Sequence, residues 1–367
     1  MLRKTLMTAA CALSLALPAM ADDLLSKPWD EIVAQAKAEG ELTWYVWYFQ
    51  PEFRQQAELF TQETGIKVTI PDVASNTDAL NKVLAESGRE RGDVDVIALG
   101  GGQLLNLDAS QNFWGPILPA LPESDAVTDK AEGADSQGYA VAYWGNQTGF
   151  AYDSNRVDVA DLPQSLADLE QWMSDKPGTF GFNYEKGGSG PSFIQNVTRN
   201  VLGITPENPG TEKNPDATAA FQWFNDRADQ YILTASNADS LTRLNSGEFL
   251  IVPAWEDHLF SLQNKNEVGS HIHFYIPGLG MNGGGNLVAI PKNAPHKAAS
   301  LVFVAWLTGA DTQTRFNQTF GTAPQNVNAD DSKALVPAEQ RVNRRDWILP
   351  PDNTVLMPEF IKEVVEY

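Results

Sequence analysis

A tryptophan and two carboxylates follow a short apolar run in the segment Pro253-Ala254-Trp255-Glu256-Asp257-His258. The run Phe249 to Val252 predicts a buried strand, so the side chains after it emerge at the strand's end. An indole face attracts a cation, and a carboxylate offsets the hydration that the cation loses. Trp255 and Asp257 are therefore the leading candidates for binding a small organic cation. Glu256 points the other way if the segment is extended, but not if a helix begins here. The alternative is a solvated turn.

The glycine-rich stretch Lys186 to Ser192, with the sequence KGGSGPS, precedes a predicted helix. Exposed amides at such a helix entry hold phosphate, sulfate or carboxylate groups, and Lys186 adds positive charge. Gly188 and Ser189 are the candidate contacts. A loop whose glycines only permit a turn explains the same residues. The spacing departs from G-x-x-x-x-G-K-[ST], which argues against nucleotide hydrolysis.

Other candidate ligand contacts lie where predicted strands end or cross between domains. They are Trp47, Tyr48, Ser75, Asn76, Gly101, Trp144 and Asn146. Trp47 and Tyr48 lie nearest the carboxyl end of the first predicted strand, whereas Trp44 before them is assigned to core packing. Trp144 is expected to form the floor of a cleft. For each of the polar and glycine candidates taken alone, capping or turn formation is the better explanation.

A βαβ unit is predicted between Glu41 and Ile70. Leu42 to Tyr48 is apolar or aromatic on both faces, as in a parallel strand that helices cover on both sides. Phe53, Ala57 and Phe60 recur at helical spacing, and Gly65 suits the end of that helix. Further strands are predicted at Asp93 to Leu99 and at later positions, with helices between them, so the fold class is α/β.

The chain is predicted to begin with an export signal over residues 1–21. Arg3 and Lys4 precede the apolar run Thr8 to Leu17, and Ala19-Met20-Ala21 offers a cleavage point after Ala21. The mature protein is therefore expected in the periplasm. Cys11 is the only cysteine of the chain and would be removed with the signal, which leaves no disulfide and no thiol chemistry.

Two lobes are predicted because the mature chain exceeds what one core usually organises. Tyr139 to Tyr152 reads as a segment that crosses from one lobe to the other, and His271 to Pro277 as a second crossing. The predicted first lobe comprises residues 22–143 and 278–308. The predicted second lobe comprises residues 144–277 and 309–367.

The charge balance excludes two classes of partner. The chain carries 47 acidic and 26 basic residues, a formal net charge of −21. Such an acidic protein repels nucleic acid and anionic membranes. No cofactor is predicted. His271 and His273 share one face of a predicted strand and suggest a metal pair with Glu256 or Asp257, but ordinary strand alternation explains their spacing, and no metal site is predicted.

The sequence contains none of the catalytic motifs G-x-S-x-G, H-E-x-x-H and S-x-x-K. The protein is therefore predicted not to be an enzyme. A secreted hydrolase remains the alternative from another functional class. Turnover by the purified mature protein would distinguish the two.

Several segments together resemble a known family. After the leader, the motifs FTQETGIKV, DVDVIAL, GFAYDSNRV, LADLEQW, GEFLIVPAW and NLVAIPKNAPHKAASLVFVAWL follow in that order. The chain resembles the extracellular solute-binding proteins of bacterial ABC transporters, nearest to the polyamine and thiamine branch of the type II proteins. The resemblance implies two lobes, each a mostly parallel sheet flanked by helices, hinged by the crossing segments.

The same resemblance implies a monomeric receptor that closes around a small-molecule solute and delivers it to a membrane permease. It does not name the solute. The aromatic and acidic residues favour a small organic cation of the thiamine or polyamine kind. A sugar, polyol or phosphorylated solute is the alternative, since aromatic rings also stack on sugars and the KGGSGPS stretch suits a phosphate.

Overall fold

The structure is a computed structural model that describes residues 24–185, 187–205 and 207–366. The predicted export signal and Lys186 lie outside the described residues. The strands are β1 (Glu41–Tyr45), β2 (Lys67–Thr69), β3 (Val96–Gly100), β4 (Lys130–Ala131), β5 (Ala134–Asp135), β6 (Ala140–Trp144), β7 (Thr148–Asp153), β8 (Phe180–Asn183), β9 (Tyr231–Thr234), β10 (Ile251–Trp255), β11 (Ile272–Tyr275), β12 (Met281–Asn282), β13 (Asn286–Ala289) and β14 (Arg344–Arg345).

The α-helices are α1 (Trp29–Glu39), α2 (Gln50–Thr64), α3 (Asn76–Glu86), α4 (Gly101–Leu105), α5 (Ala109–Asn112), α6 (Leu166–Asp175), α7 (Ser189–Leu202), α8 (Thr218–Asn225), α9 (Asn237–Asn245), α10 (Glu256–Asn264), α11 (Lys297–Thr308), α12 (Ala310–Phe320) and α13 (Asn353–Phe360). Short 3-10 helices span Leu24–Ser26, Leu118–Ala120, Ser124–Ala126, Val159–Asp161 and Ala338–Asn343, and a π-helix spans Ile361–Val365.

Two five-stranded sheets organise the described residues, in the orders β2-β1-β3-β13-β6 and β11-β7-β10-β8-β9. In the first sheet β1 pairs in parallel with β2 and β3, while β13 pairs antiparallel with β3 and β6. In the second, β8 pairs in parallel with β9 and β10, while β7 pairs antiparallel with β10 and β11. The predicted α/β class is confirmed, but the prediction of mostly parallel sheets is wrong. Both sheets are mixed, because strands next to the crossings enter against the direction of their neighbours.

The first βαβ unit forms as its residues predict. Helix α2 buries Phe53, Ala57 and Phe60, and it ends at Gly65 with φ 80°, a conformation that glycine adopts without strain. The predicted strand over residues 42–48 ends earlier, at Tyr45, because the chain turns before α2. Trp47 and Tyr48 consequently lie in the loop at the strand's carboxyl end and not within the sheet.

Two crossing segments run side by side between the sheets. The first leaves the first sheet after Trp144 and enters the second at Thr148, and the second returns through β12 to β13. The Gln147 amide donates to the carbonyls of Thr148 and Met281, at 2.8 and 3.0 Å. The Thr148 hydroxyl donates to the carbonyl of Asn282 at 2.6 Å. These bonds join the crossings into one connection, which is where a hinge between the lobes belongs.

Separate hydrophobic cores cover the two sheets. Helix α12 packs Phe316 and Phe320 into the core of the first sheet, where the Phe320 ring lies 5.5 Å from Phe53 and 4.9 Å from Trp144. Helix α13 packs into the core of the second sheet.

The predicted lobe boundaries stay a prediction with corrections. Residues 310–320, predicted for the second lobe, pack with the first because their aromatic side chains fill its core, and so does Trp144. Leu279 and Met281, predicted for the first lobe, pack into the core of the second.

Candidate functional site

A cleft of about 1210 Å³ opens between the two sheets. Lining side chains on the side of the first sheet include Trp47, Tyr48, Asn76, Gln103, Glu132 and Asn286. Those on the side of the second sheet include Asn237, Trp255, Asp257 and Trp347. Both aromatic faces and amide groups are therefore available to one ligand, an arrangement typical of small-molecule sites.

Seven of the residues predicted from the sequence line this cleft. They are Trp47, Tyr48, Asn76, Asn146, Gly188, Trp255 and Asp257. They come from both sheets and from the first crossing. That they bind a solute stays a prediction, but the fold brings them to one place.

The other four predicted residues do not line the cleft. Ser75 begins α3 as its cap and accepts the amide hydrogen of Asp78. Gly101 is buried, and its N–H donates to the Glu132 carboxylate at 2.8 Å. Trp144 is fully buried among aromatic rings and packs as core, and Ser189 is buried where its hydroxyl donates to Asn183.

Asp257 lies in the first turn of α10, directly after β10 ends at Trp255. Its side chain accepts the N–H of His258 at 2.8 Å, and the residue is only 5% exposed. Burial raises the pKa of Asp257 to about 6, although the side chains of Trp144 and Asn146 favour its charged form. A carboxylate held here is thus short of compensating positive charge.

Glu256 has a different role from its neighbour Asp257. Helix α10 begins at Glu256. It is fully buried, and its carboxylate accepts a bond from Arg341 at 2.9 Å. Burial raises the pKa of Glu256 to about 7 even with that partner. Glu256 stabilises the packing of residues 338–343 and does not line the cleft.

Glu132, in the turn between β4 and β5, is a lining residue that the sequence did not reveal. Its backbone has φ 53° and that of Gly133 has φ 87°, as in the type I′ turn that joins two antiparallel strands through a two-residue loop. The half-buried residue directs its carboxylate to the cleft wall, where burial raises its pKa to about 8 against the amides of Gly101 and Gly102. The surrounding sequence reads as an ordinary polar turn, so no motif marks it.

Asp257 and Glu132 both act on the hydroxyl of Tyr48. Burial is the main cause that raises the pKa of Tyr48, followed by Tyr143, whose hydroxyl lies 2.6 Å away, and then by the two carboxylates. Both carboxylates line the cleft, Asp257 on the side of the second sheet and Glu132 on the side of the first. Neither forms an ion pair with a described residue within the cleft.

Trp347 is the second lining residue without a signal in the sequence. Its ring lies 5.9 Å from that of Trp255, with 21° between the ring planes. Gly188 makes this pair possible: a Cβ there would lie 2.9 Å from Trp255 and 3.3 Å from Trp347. The glycine thus contributes space for two indoles.

The start of α7 offers less to an anion than its glycines suggest. The N–H of Gly190 donates to the Asn183 side chain at 3.2 Å, and the N–H of Ser192 donates to the Gly188 carbonyl at 2.9 Å. Lys213, which lines the cleft, has a side chain 73% exposed and pairs with Asp352 at 3.0 Å. The buried charge of the cleft is therefore acidic.

The described residues contain neither a candidate membrane-spanning helix nor a candidate metal-ion cluster. None of the helices within residues 24–185, 187–205 and 207–366 combines the length and apolar character needed to cross a membrane. In the same part of the chain, no group of three or more His, Cys, Asp and Glu residues could hold a metal ion.

Comparison with known proteins places the chain in a family. The model of the bacterial extracellular solute-binding proteins matches residues 55–341. The putrescine-binding periplasmic protein SpuD of Pseudomonas aeruginosa is 25% identical over 292 residues, which cover 75% of each chain.

Solved structures agree with the fold. An extracellular solute-binding protein from Bordetella parapertussis superposes with a TM-score of 0.70 at 18% identity and covers 89% of this chain and 99% of its own. The periplasmic binding protein AfuA from Actinobacillus pleuropneumoniae, solved with fructose-6-phosphate, has a TM-score of 0.61 at 16% identity and covers 89% and 99%. The predicted two-lobe, type II fold is confirmed. The chain belongs to the bacterial extracellular solute-binding protein family.

Proposed function

We propose that the protein is the periplasmic receptor of an ABC importer and that it binds a small organic cation in the cleft between its lobes. The observation that carries the choice of solute is a pair of carboxylates in the cleft lining, the buried Asp257 and the half-buried Glu132, neither of which forms an ion pair with a residue that the structure describes. Burial makes such charge costly unless a ligand compensates it. A cation supplies that compensation.

A diamine fits the remaining features of the cleft. An ammonium group makes charge-assisted hydrogen bonds with a carboxylate, and Trp255 and Trp47 offer indole faces to a cation or to the methylenes beside it. The relative SpuD is a putrescine-binding protein, which supports the same class of solute. We therefore take 1,4-diaminobutane as the first probe.

Binding is expected to close the lobes. Asp257 follows β10 of the second sheet, and Glu132 lies beside β3 and α4 of the first, so a ligand that contacts both carboxylates gains its full contacts only when the lobes meet. A shift from 1:99 to 99:1 in favour of the closed form needs about 5.5 kcal/mol of differential binding. No covalent step is involved, and the closed form is what a permease would recognise.

A phosphorylated solute is the second candidate. Gly187 and Gly188 line the cleft at the start of α7, and AfuA, which shares the fold, was solved with fructose-6-phosphate. The engaged amide of Gly190 and the acidic charge of the cleft weigh against this candidate. The two proposals predict opposite effects of neutralising Asp257, because an anion gains and a cation loses.

The function is tested by isothermal titration calorimetry of the mature protein with 1,4-diaminobutane, spermidine, thiamine and fructose-6-phosphate. We expect one-to-one binding of at least one cation and recovery of that ligand unchanged. Binding of fructose-6-phosphate alone would overturn the solute class. A product formed in molar excess over protein would overturn the receptor and favour the hydrolase.

Location and assembly are parts of the same proposal. We expect the mature protein in the periplasmic fraction with Asp22 as its first residue, and as a monomer in size-exclusion chromatography with light scattering. The family supports the location. Retention of the full chain in the cytoplasm would contradict it.

Gly188→Ala is expected to lower the affinity for 1,4-diaminobutane by about tenfold, since overpacking costs about 1–3 kcal/mol and each 1.4 kcal/mol is tenfold. The added methyl would displace the rings of Trp255 and Trp347, while φ at this residue stays in a range that alanine adopts. Calorimetry measures the affinity, and thermal unfolding shows whether the fold is intact.

Gly88→Ala is the matched control for this substitution. Nothing lies within 4 Å of a Cβ at Gly88, which is outside the cleft. Its affinity should equal that of the unsubstituted protein. Equal affinities for both variants would show that the Trp255 and Trp347 rings do not contact the ligand.

A further inference from the structure

The cleft includes a segment that lies beyond the family-matched residues 55–341. We name residues 344–354 the wall segment. It contributes Trp347, Ile348, Asp352, Asn353 and Thr354 to the lining. This part of the cleft is therefore supplied by residues outside the matched region, where differences between family members in solute choice can arise.

Arg199 and Gln195 of α7 hold the backbone of the wall segment. The Arg199 guanidinium donates to the carbonyls of Asp346 at 3.0 Å, Leu349 at 2.8 Å and Pro350 at 3.0 Å. The Gln195 amide donates to the carbonyl of Leu349 at 3.1 Å. A planar guanidinium has five donors in a fixed geometry and makes all five bonds of Arg199 at once, whereas a lysine has only three donors.

Burying the charged side chain of Arg199 costs free energy of folding, so its contacts indicate what this residue does. It is 2% exposed, and burial lowers its pKa to about 9. Among the described residues its partners are backbone carbonyls and the side-chain oxygens of Asn196 and Asn282, and none of these is a carboxylate. A buried charge that is matched mainly to carbonyls fixes a loop conformation more than it adds stability.

The wall segment also contacts both the hinge and the first lobe. Strand β14 pairs with β12 of the second crossing, and Arg199 donates to Asn282 of that strand at 2.7 Å. On the other side, Ile348 lies against Gly133, where an added Cβ would be 2.6 Å from its terminal methyl. Gly133 follows Glu132, so the segment borders one of the two cleft carboxylates.

We propose that Trp347 is a specificity-determining residue for the solute and that Arg199 is its positioning residue. Trp347 and Trp255 both line the cleft, where their rings stack in a near-parallel orientation. The Trp347 ring limits the length of cation that fits between this pair of rings and the carboxylates. This inference rests on the proposed binding function, and it adds the element that selects among cations.

The test measures the affinities of 1,4-diaminobutane and spermidine by calorimetry in Trp347→Ala. We expect the affinity for the short diamine to fall by about tenfold, the effect of one aromatic contact with a cation. The affinity for spermidine should fall less or rise, so the ratio of the two affinities changes. An unchanged ratio would overturn the proposal.

Trp306→Ala is the matched control. Trp306 is also partly exposed and stacks on a second ring, Phe303, at 5.9 Å with 16° between the planes, but it lies outside the cleft. Both affinities should remain those of the unsubstituted protein. The same ratio change in both variants would indicate a general effect of losing an indole and would also overturn the proposal.

Arg199→Lys separates positioning from simple stabilisation. If Arg199 acts through Trp347, the substitution shifts the affinity ratio in the unsubstituted protein and does not shift it further in Trp347→Ala. A purely structural role would lower the unfolding temperature and leave the ratio unchanged, which would reject Arg199 as a positioning residue. Arg227→Lys, at an arginine of the second lobe outside the cleft lining, controls for the exchange itself.

Failure of the solute class is distinguishable from failure of this inference. If the unsubstituted protein binds fructose-6-phosphate and no cation, the proposed solute is wrong. The wall segment is then tested with fructose-6-phosphate, whose affinity should change in Trp347→Ala and not in Trp306→Ala. If a cation binds and Trp347→Ala leaves the ratio unchanged, the function stands and the wall segment does not select the solute.

Discussion

Asp257→Asn is expected to lower the affinity for 1,4-diaminobutane by about 100-fold, since losing one partner of a desolvated charge pair costs about 2–5 kcal/mol. The same change should raise the unfolding free energy of the empty protein. Burial raises the pKa of Asp257 to about 6 from its ordinary value of 3.8, so the ionised form is disfavoured in the fold. About 2 units at 1.36 kcal/mol each set an upper limit of about 3 kcal/mol for the gain at pH 8.

The two effects have opposite signs, and both are measurable. Calorimetry gives the affinity, and urea unfolding of the empty protein at pH 8 gives the stability. Asparagine still accepts the His258 N–H through its side-chain oxygen, so the helix start is retained. A variant that is both less stable and unchanged in affinity would show that Asp257 serves the fold and not the ligand.

Glu256→Gln is the control, because this neighbouring carboxyl is equally buried but faces Arg341. Its removal should leave the affinity within about threefold, and because burial raises the pKa of Glu256 to about 7 even beside Arg341, the stability at pH 8 should rise as it does in Asp257→Asn. If Glu256→Gln weakened diamine binding as strongly as Asp257→Asn, the effect would be a general one on α10.

Acidification should weaken diamine binding steeply. The pKa of Glu132 is about 8 and that of Asp257 about 6 in the empty protein, and a bound cation favours the ionised form of each. The dissociation constant should therefore rise about tenfold per pH unit from pH 8 to 6, and about 100-fold per unit below pH 6. Titrations at half-unit steps measure these slopes.

Other groups near the two carboxyls do not produce this profile. Asp346 and Arg344 act on Glu132 in opposite directions, and Tyr48 titrates far above this range because burial raises its pKa. Burial lowers the pKa of His258, so that imidazole stays neutral over most of it. Glu132→Gln should abolish the slope between pH 8 and 6, and an unchanged slope in this variant would contradict the assignment.

The stability of the empty protein should follow pH in the opposite direction. The folded-state pKa values of Asp257, Glu132 and Glu256 all lie above their unfolded values of about 4. These carboxyls bind protons more tightly in the fold, so the stability they contribute at low pH is lost as pH rises from about 4 to about 8. Added diamine should reverse this trend at the upper end.

The sequence predicted those parts of the site that depend on local pattern. The apolar run before Trp255 predicts a strand end and the βαβ unit predicts another near Tyr48, so Trp255, Asp257, Trp47 and Tyr48 were expected at the cleft that they line. Trp144 was placed at the cleft floor because an aromatic residue in a crossing strand has the same local pattern whether it packs or lines a pocket.

Residues that depend on distant contacts were missed. Glu132 reaches the cleft only because its turn adopts a positive φ and packs on Gly101, 31 residues earlier. Trp347 lies there because Arg199 holds its loop from about 150 residues away. Ser189 does not line the cleft, because it is buried and its hydroxyl donates to the side chains of Asn183 and Asn237. The spacing of residues in the sequence does not predict these hydrogen bonds.

The direction of each strand within its sheet also could not be predicted from hydrophobic periodicity. An apolar run predicts a buried strand but not the direction of its partner, and the family resemblance implied mostly parallel sheets. The crossings reverse the chain between lobes and make the pairings of β13 and β7 antiparallel. The distinction matters for the site, since the crossings carry Asn146 and Asn286 to the cleft.

The central claim is that buried carboxylates from both lobes compensate the charge of an organic cation. Calorimetry of 1,4-diaminobutane binding at pH 7, in two buffers of different ionisation enthalpy, tests it most directly. We predict one-to-one binding with net release of about one proton, because Glu132 with a pKa near 8 must ionise. Binding without proton release, or with proton uptake, would contradict the claim.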